Sequence, residues 1–417
     1  MGKRESAESA RRPGNLDSSH DGATKTKTVL ILGGGWGGMM AATTLRGLLA
    51  PEHRVVVVEK NPRFSLCPSH LWVMTQERDP EAVQREMSGI ARPGIELVRE
   101  EIIGIDPATR TVTTASRELK GDFLVIALGA QLDLTGIPGF AEGAINLFDL
   151  DGSVKLRDAL AKFDGGRIAV LITRTPFRCP PSPYEAAMLI DWALRKRGVR
   201  ERSKIAVYTP EKMPMAVAGP EVGAELKKML ESKGIEYFPE HKVESIDGAT
   251  REMRFANGAR ASCDLLVGVP PHRAPQTVVD AKLTDATGYI PVHPQTMELL
   301  ADVDNLVTKM PGVYAIGDVT SARLMNGMLL PKAGVFAEAQ ATVVAQNIAA
   351  RVAGKESSAV FDGRGVCYVE VGDGMAATGS GNFYAYPAPW VQIEAPSAEG
   401  RKAKEQYESV LDAWFKR

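Results

Sequence analysis

A glycine-rich turn between an apolar segment and a helical segment constrains this chain more than any other feature of its sequence. The apolar residues 29–32 precede Gly33, Gly35 and Gly38, which form the pattern G-x-G-x-x-G, and residues 39–49 have a helical pattern. Glycines at this spacing permit a tight turn, close approach of the backbone to a pyrophosphate, and close helix–strand packing. The positive end of the helix then faces the phosphate charge. The predicted contacts with a dinucleotide are Gly33, Gly35, Trp36, Gly37 and Gly38.

An acidic residue in the expected place strengthens this interpretation. The second predicted strand, residues 54–58, leads into Glu59, which lies 21 residues after Gly38. A carboxylate about 20 residues beyond the glycines typically accepts hydrogen bonds from both hydroxyls of an adenosine ribose. A chance glycine-rich turn is the alternative, since the pattern alone is a weak signal. Because strand, turn, helix and acid occur together, we predict a dinucleotide site that includes Glu59 and its neighbour Lys60.

The chain then repeats the same α/β unit. A second predicted strand–helix–strand series occupies residues 167–172, 184–196 and 204–208. The sequence Ile-Asp-x-Ala-Thr-Arg occurs in a predicted hairpin of each copy, at residues 105–110 and 246–251. Two unrelated α/β segments would not share this hairpin, so the repeat indicates a duplicated nucleotide-binding unit.

Composition and charge exclude several other classes of protein. The 417 residues include 50 Lys and Arg against 51 Asp and Glu, a net charge of -1 that argues against a nucleic-acid binder. No apolar run approaches the roughly 18 residues of a membrane-spanning helix. The four cysteines form no C-x-x-C pair, so we expect no zinc or other metal site. Arg11 and Arg12 lack a following apolar stretch, which predicts a disordered tail on a cytoplasmic protein instead of an export signal.

Three separated motifs together resemble the flavoproteins with two dinucleotide-binding domains. They are the turn at residues 33–38 with Glu59, the segment 127–129, and the strand end 315–318. The resemblance covers residues 28–353 and implies an extended FAD, with its pyrophosphate over the turn and its ribityl chain near Asp318. The further flavin contacts implied are Lys60, Cys67, Ile103, Ala127, Gly129, Lys332, Ala333 and Gly334.

This resemblance predicts an α/β protein with two Rossmann-like, three-layer dinucleotide-binding domains. The strand that ends in Asp318 lies beyond the second copy, so the first domain is expected to be discontinuous. A C-terminal segment with an amphipathic helix completes the chain. The predicted parts are a disordered tail at residues 1–27, an FAD-binding domain at 28–150 and 276–355, a second domain at 151–275, and the C-terminal segment at 356–417.

The second copy lacks the glycine turn of the first. Residues 168–196 contain no glycine, and the turn position carries Cys179 among four prolines. Proline removes backbone donors and its ring keeps the backbone away from a pyrophosphate. We therefore predict a degenerate nicotinamide site that carries a cysteine in its place.

The segment Cys-Pro-Pro-x-Pro-Tyr-Glu at residues 179–185 resembles the sulfide-oxidising branch of these flavoproteins. That branch comprises sulfide:quinone oxidoreductases and the flavoprotein subunit of flavocytochrome c sulfide dehydrogenase. Residues 264–275, 330–334 and 381–389 support the resemblance, and Cys367 stands where the branch has its second redox cysteine.

The resemblance implies a redox pair of Cys179 and Cys367, bridged by a disulfide or a polysulfide, that sulfide or a small thiol attacks. Electrons then pass through FAD to a quinone, or alternatively to a cytochrome c. Glu185 is the implied proton acceptor. The alternative is a purely structural role, in which its carboxylate stabilises the N-terminus of the helix. Arg174, Arg178 and the following helix N-terminus are expected to favour a reactive thiolate at Cys179. Two buried structural thiols remain the alternative.

Three further features leave alternatives open. Cys67 resembles the cysteine that bonds covalently to flavin, but it equally suits a non-covalent contact or a core thiol. Residues 130–151 lack the third cysteine of typical quinone reductases, which is more similar to the flavocytochrome c subunit. The apolar face of the last helix, on which Tyr407, Trp414 and Phe415 lie, suits either a membrane interface or packing on the protein.

Two other functions also stay open from the sequence. A type II NADH dehydrogenase shares the fold and the quinone, although the missing glycine turn argues against it. A flavoprotein redox sensor, whose cysteines gate partner binding without turnover, belongs to a different class. The oligomeric state is not constrained.

Overall fold

The computed structural model describes residues 25–90, 92–308 and 310–416. Apart from its last three residues, the predicted tail at 1–27 lies outside the described part. The α-helices described are Trp36–Leu48 (α1), His70–Met74 (α2), Phe140–Gly143 (α3), Leu150–Lys162 (α4), Ser182–Lys196 (α5), Pro220–Ser232 (α6), Gln276–Asp280 (α7), Gly334–Val352 (α8), Ala398–Glu405 (α9) and Ser409–Trp414 (α10). Short 3-10 helices cover Cys67–Ser69, Met87–Gly89, Arg200–Arg202, Ala216–Ala218, Gly317–Val319 and Gln406–Glu408.

The strands fall into two large parallel sheets and several small sheets. In chain order they are Thr28–Leu32 (β1), Arg54–Val58 (β2), Arg63–Ser65 (β3), Gln84–Glu86 (β4), Ile95–Val98 (β5), Ile102–Asp106 (β6), Thr111–Thr114 (β7), Glu118–Lys120 (β8), Phe123–Ile126 (β9), Gln131–Leu132 (β10), Ile145–Asn146 (β11), Gly166–Ile172 (β12), Ser203–Tyr208 (β13), Ile235–Phe238 (β14), Val243–Ile246 (β15), Glu252–Phe255 (β16), Arg260–Ser262 (β17), Leu265–Val269 (β18), His272–Arg273 (β19), Ile290–Pro291 (β20), Leu300–Asp302 (β21), Val307–Thr308 (β22), Val313–Ala315 (β23), Thr320–Ser321 (β24), Arg364–Gly372 (β25), Met375–Asn382 (β26) and Trp390–Ile393 (β27).

The first parallel sheet has the strand order β23-β9-β1-β2-β5. Its central strands β1 and β2 are almost continuously buried, as expected for strands covered on both faces. The edge strand β23 pairs with β9 although it follows the second sheet in the chain, so two separate stretches build this sheet. The carboxyl ends of β1, β2, β9 and β23 therefore meet at one edge, where doubly wound sheets bind ligands.

The second parallel sheet has the order β11-β18-β12-β13-β14. This second domain is three layers thick, as strand β12 shows. Ile168, Val170 and Ile172 pack with the helices α4, α5 and α6. Ala169 and Leu171 pack on the other face with the antiparallel strands β15 and β16. Alternate side chains of a strand point to opposite faces. Strand β11 already belongs to this sheet, so the chain enters it before the predicted boundary at residue 151.

Each parallel sheet carries a small antiparallel sheet with the same turn chemistry, β6–β8 in the first and β15–β17 in the second. Asp106 accepts hydrogen bonds from the backbone N–H groups two and three residues later, and Asp247 does the same. Arg110 and Arg251 both have a φ near +55°. Residues of β6 and of β15 contribute to the core of their own sheets. The duplication read from the sequence is therefore present in the fold.

The C-terminal segment folds back onto both sheets. Its antiparallel strands β25, β26 and β27 lie against α5, α6, α8 and α9. Leu411, Trp414 and Phe415 of the last turn pack in a buried cluster with Phe64 and Met39. Of the two alternatives for this apolar face, the structure supports packing on the protein, because the same side chains are not free to enter a membrane. Among the described helices, none combines the length and the apolar character that crossing a membrane requires.

Candidate active site

A cavity of about 990 Å³ runs along the carboxyl edge of the first sheet to the second sheet and the C-terminal segment. Ligand cavities in proteins commonly measure about 300–1,000 Å³. Most of the residues singled out in the sequence line it: Gly33, Gly35, Trp36, Glu59, Lys60, Cys67, Ala127, Gly129, Cys179, Glu185, Asp318, Lys332, Ala333, Gly334 and Cys367. Gly37, Gly38 and Ile103 do not.

The glycine turn shows a different reason for each of its glycines. Gly33 has φ +100°, and a Cβ there would lie 2.5 Å from the carbonyl oxygen of Ala127. A Cβ on Gly38 would lie 1.9 Å from the carbonyl oxygen of Gly33, so this glycine permits helix–strand packing. A Cβ on Gly35 would meet nothing within 4 Å. Gly35 faces open space at the N-terminus of α1, which is where an anion would sit.

Glu59 lies at the end of β2 and is held by the backbone. Its Oε2 accepts a hydrogen bond from the N–H of Gly34 at 2.7 Å, and its Oε1 accepts one from the N–H of Asn61 at 2.7 Å. The side-chain amide of Asn61 also donates to Oε1, at 2.7 Å. Since two carboxylate oxygens offer about four acceptor sites, Glu59 keeps capacity for one further donor. Lys60 forms an exposed ion pair with Glu101 beside it, at 2.8 Å.

Ile103 is a correction to the predicted contacts. It is 58% exposed and lies outside the cavity, whereas its neighbour Ile102 is buried and lines the cavity wall. The alternation of side chains along β6 turns Ile103 to the opposite face. The sequence pattern placed the strand correctly but chose the residue on the wrong face.

Two ionisable residues, Asp318 and Lys332, line the cavity next to each other. Lys332 is buried, its Nζ donates to the carbonyl oxygens of Asp318 at 2.6 Å and Thr320 at 3.1 Å, and it lies 3.3 Å from the centre of the Tyr289 ring. Burial lowers the pKa of Lys332 to about 7. Burial raises the pKa of Asp318, although Lys332 opposes the shift. Burial thus brings the titration of Lys332 close to neutral pH.

The proline-rich loop of the second domain, residues 173–183, contacts the backbone of Lys332 directly. Cys179 has φ +50°, and its N–H donates to the carbonyl oxygen of Lys332 at 2.7 Å. Arg178 forms an isolated parallel bridge with the same lysine. The loop thus brings Cys179 over the cavity at the place where the second dinucleotide fold would otherwise open.

Cys367 reaches the same cavity from β25. Both cysteines are free, half-buried thiols that line this cavity. Burial raises the pKa of the Cys179 thiol well above its usual range and that of Cys367 to about 11, and the charge of Glu185 adds to both shifts. The structure therefore brings together two thiols that lie far apart in the chain.

The expectation that Arg174 and Arg178 activate Cys179 is wrong. Arg174 donates to the carbonyl oxygen of Gly136, and Arg178 donates to that of Phe148 and lies over its ring. Neither guanidinium is among the main causes of the shifted pKa of Cys179. The cation whose charge opposes the raised pKa of both thiols is Lys404, from the C-terminal segment.

Glu185 lies one turn into α5 and is buried. Its Oε1 accepts hydrogen bonds from Lys404 Nζ at 2.6 Å and from the N–H of Glu370 at 2.9 Å. Lys404, Glu370 and Arg401 were missed by sequence reasoning. The three-residue spacing of Arg401 and Lys404, which places both on one helix face, was the available signal.

Of the remaining two cysteines, one lines the cavity and the other lies in a hydrophobic core. Cys67 is exposed, lines the cavity, and lies 3.8 Å from the carbonyl oxygen of Ser65. Cys263 is buried in the core between β12 and the strands β15–β17, away from this cavity. Among the described residues there is no cluster of histidine, cysteine and acidic side chains that could hold a metal ion.

A second cavity of about 310 Å³ adjoins the first. Its lining is largely apolar and comes from the proline-rich loop, from residues 211–222 and 327–336, and from strands β25–β27 with Phe383. Five residues line both cavities: Pro181, Lys332, Ala333, Val335 and Cys367. An apolar molecule in the smaller cavity would therefore touch the wall of the larger one.

Two dinucleotide folds, a glycine turn with its acid, and a thiol pair over one cavity define a dinucleotide-dependent oxidoreductase. The chain belongs to the pyridine nucleotide-disulphide oxidoreductase family, whose profile matches residues 27–343.

Several relatives share this chain's sequence at a moderate level. The mitochondrial sulfide:quinone oxidoreductase of Mus musculus is 25% identical over 305 residues, which cover 70% of this chain and 65% of that protein, less than two thirds of its length. The sulfide-quinone reductase of Aquifex aeolicus is 25% identical over 337 residues, covering 77% and 76%. An alternative NAD(P)H-ubiquinone oxidoreductase of Arabidopsis thaliana is 26% identical over 363 residues, covering 79% and 68%.

A solved structure confirms the fold. The crystal structure of the Aquifex aeolicus sulfide:quinone oxidoreductase matches with a TM-score of 0.82 at 20% identity, covering 93% of this chain and 91% of that one. The predicted α/β architecture with two Rossmann-type units is therefore confirmed.

The family and these relatives imply a flavin cofactor, and the residues of the large cavity fit FAD. The open face of Gly35 at the start of α1 suits a pyrophosphate, and Glu59 keeps acceptor capacity for a ribose. From Glu59 the cavity extends to the thiols and Lys332, and the residues at that end, Lys332, Ala333 and Gly334 among them, would hold the flavin ring.

Proposed function

We propose that this chain is an FAD-dependent oxidoreductase that oxidises sulfide at Cys179 and Cys367 and delivers the electrons to a quinone. The observation that carries the proposal is that the two thiols, from different parts of the fold, line one cavity with the glycine turn and Lys332. The relatives named as sulfide:quinone oxidoreductases support the same substrate pair.

The chemistry at sulfur follows from a disulfide between the two cysteines. Hydrosulfide attacks one sulfur, a new S–S bond forms, and the Cys179–Cys367 bond breaks. One cysteine becomes a persulfide and the other leaves as a thiolate with the electron pair of the broken bond. Bound FAD would supply a two-electron acceptor beside that thiolate. Loss of that electron pair to the acceptor joins the thiolate sulfur to the outer sulfur of the persulfide, so a trisulfide bridge forms between the two cysteines and one proton leaves.

The chain's own side chains manage protons around this step. We propose Glu185 as the group that takes the proton of hydrosulfide or of the persulfide, because it lines the cavity with both thiols. Lys332, with a pKa lowered to about 7 by burial, is placed to supply a proton or a positive charge under the flavin ring. Both groups lie in the wall, where water has limited access.

The proline-rich loop argues against NADH as the donor. Cys179, Pro180 and Pro181 occupy the turn of the second fold, and the backbone of Cys179 is bonded to Lys332. No glycine is present there to admit a pyrophosphate. The Arabidopsis relative keeps the alternative of a nicotinamide-dependent quinone reductase as a specific outcome of the test.

The apolar cavity is the proposed quinone site. It shares Lys332 and Cys367 with the flavin cavity, so a quinone head there would lie within reach of electrons. Two exposed apolar side chains line it, Met328 and Val366, and the exposed Met325, Tyr386 and Trp390 lie within three positions of other lining residues in the chain. These exposed side chains, and not the buried last helix, are the proposed peripheral contact with a membrane that holds the quinone.

Cys67 is proposed as a direct flavin contact because it is an exposed thiol in the flavin cavity. Acid precipitation of the purified protein decides whether the contact is covalent. Flavin that precipitates with the unaltered protein, but stays in the supernatant of the C67S variant, would establish a covalent bond between Cys67 and the flavin. Flavin in the supernatant of the unaltered protein would limit Cys67 to a non-covalent contact.

An anaerobic stopped-flow experiment tests the function directly. Sulfide should bleach the oxidised-flavin band of the wild-type protein, and C179S and C367S should each lose this reaction by at least about 100-fold. C263S, a buried cysteine outside the cavity, is the matched control and should react normally. Bleaching by NADH instead of sulfide would contradict the proposal and favour a nicotinamide-dependent reductase.

The acceptor is identified in the second half of the same experiment. Reoxidation of the reduced flavin by a short-chain quinone is the expected result. Rapid reoxidation by cytochrome c, with none by quinone, would favour a flavocytochrome c-type dehydrogenase. A reduced flavin that neither acceptor reoxidises would favour a redox sensor.

A further inference from the structure

Lys404 is a buried cation that the C-terminal segment brings to the thiol pair. It is 4% exposed and lines the flavin cavity together with Glu185, Cys179 and Cys367. Its Nζ donates to Glu185 and lies 3.5 Å from Oε1 of Glu370. Lysine is seldom buried without a partner, because removing an ammonium group from water is costly. Here two carboxylates from two different elements compensate that cost.

The surroundings of Lys404 fix it in place. Glu370 is fully buried, and its other contacts are the indole N–H of Trp72 at 2.6 Å and the guanidinium of Arg401 at 3.0 Å. Lys404 and Arg401 both lie over the Trp72 ring, at 5.6 and 4.6 Å from its centre. The ammonium is therefore held by α5, β25 and α2 at once, with little freedom to move.

The charges that face Lys404 are Glu185 from α5, Glu370 from β25 and Arg401 from its own helix, with the two thiols across the cavity. Burial lowers the pKa of Lys404, but the two carboxylates outweigh burial and raise it above its usual value. The lysine therefore stays charged throughout the neutral range. Its charge opposes the effect of burial and of Glu185 on both thiols.

We propose that Lys404 is a positioning residue for the thiol chemistry, which stabilises the thiolates of Cys179 and Cys367 and holds Glu185 beside them. This inference rests on the proposed function. When a thiol ionises, its S–H bond breaks and the electron pair stays on sulfur. The proton leaves to the carboxylate of Glu185 or to water, while Lys404 keeps its own protons. The lysine acts through the cysteines and does not touch sulfide.

The test measures thiol ionisation without any turnover. The reduced protein is alkylated with iodoacetamide over a range of pH, and mass spectrometry follows the Cys179 and Cys367 peptides separately. K404M should raise the pH midpoint of alkylation of both cysteines by about one unit. At a fixed pH below the midpoint, this shift makes the alkylation of each cysteine about tenfold slower. E185Q, which removes a negative charge and keeps the lysine, should shift the midpoint in the opposite direction.

Two further variants separate this role from a structural one. Lys402 lies exposed on the same helix, so K402M should leave the midpoint unchanged. If K404M does not fold because Glu185 is left buried without its cation, the double variant K404M/E185Q removes that carboxylate charge, and its midpoint must lie above that of E185Q. A K404M midpoint equal to that of the wild type, or a double variant equal to E185Q, would overturn the proposal.

The experiment also distinguishes the two proposals. Alkylation needs neither sulfide nor quinone. A shifted midpoint in a protein that sulfide does not reduce would retain the role of Lys404 and reject the sulfide reaction. Normal bleaching of the flavin by sulfide, together with an unshifted midpoint in K404M, would retain the sulfide reaction and reject the role of Lys404.

Discussion

Trp36 and Trp414 meet edge to face, with ring centres 5.6 Å apart. Trp36 is the first residue of the helix that follows the glycine turn, and Trp414 is the last residue of the last helix. Trp414 also contacts Phe64 at 5.6 Å. The end of the chain is thus built into the wall of the dinucleotide site.

Replacing Trp414 by alanine should therefore weaken the fold and the cofactor site together. Removal of a buried tryptophan typically costs about 3–5 kcal/mol. We expect W414A to lose stability of this order in urea unfolding and to retain less FAD on gel filtration. W390A is the control, because Trp390 is 57% exposed and should change the free energy of unfolding little. Equal effects of the two substitutions would contradict the packing described.

Substitution of Gly35 separates folding from cofactor binding. A Cβ at this position meets no protein atom within 4 Å, so G35A should fold with wild-type thermal stability in its apoprotein form. The added methyl group would stand where a pyrophosphate approaches, so the affinity for FAD should fall by about tenfold or more. G104A, in β6 away from the turn, should bind FAD normally. Unchanged FAD affinity of G35A in a fluorescence titration would place the pyrophosphate elsewhere.

His70 should make the protein sensitive to mild acid. It is buried, its Nε2 pairs with Ser65 Oγ at 2.8 Å, and burial together with the charge of Arg178 lowers its pKa to about 3. Because the folded pKa lies below the unfolded value, the unfolded state binds the extra proton, and stability falls as the pH drops from about 6.5 toward 3. Between pH 7 and pH 5 this costs about 2 kcal/mol.

The variant H70Q should lose this part of the pH dependence. Urea unfolding at the two pH values would measure it, with H53Q as a second histidine variant for comparison. The imidazole of His53 accepts a hydrogen bond from the N–H of Lys27, and the residue lies beyond the C-terminus of α1, outside the large cavity. If H70Q and the wild type lose the same stability between pH 7 and pH 5, His70 does not carry the effect.

Filling the apolar cavity should separate the two half-reactions. Val391 lines this cavity, so V391F should slow reoxidation of the flavin by quinone about tenfold or more while sulfide reduces the flavin at the wild-type rate. Val360 is exposed and does not line the cavity, so V360F is the matched control. Slower reduction by sulfide in V391F, with normal reoxidation, would assign the cavity to the sulfur substrate instead of the quinone.

The fold and the cofactor end of the site were predictable because local sequence determines them. Gly33, Gly38 and Glu59 occupy one strand–turn–helix–strand unit, whose spacing reports its geometry. The paired hairpins with Asp106 and Asp247 carry their turn chemistry in the sequence itself. Even here the side of a strand escaped prediction, since Ile103 and its neighbour Ile102 are both apolar and differ only in the face they occupy.

The charge arrangement around the thiols was not predictable in the same way. Arg174 and Arg178 are sequence neighbours of Cys179, yet their guanidinium groups turn to the carbonyl groups of other segments. Lys404 stands 225 positions after Cys179, and it reaches the cavity only because the C-terminal segment folds back. Long-range packing decides such a contact, and no spacing rule reports it.

The late position of β25 and α9 in the chain sets an order of events during synthesis. Both parallel sheets are complete once β23 has left the ribosome, and domains generally fold as units while the chain emerges. At that moment Cys179 is already in place, whereas Cys367, Glu370 and Lys404 have yet to be made. The thiol pair and the lysine beside it are thus completed last, so the proposed thiol chemistry has to wait until the final stretch docks.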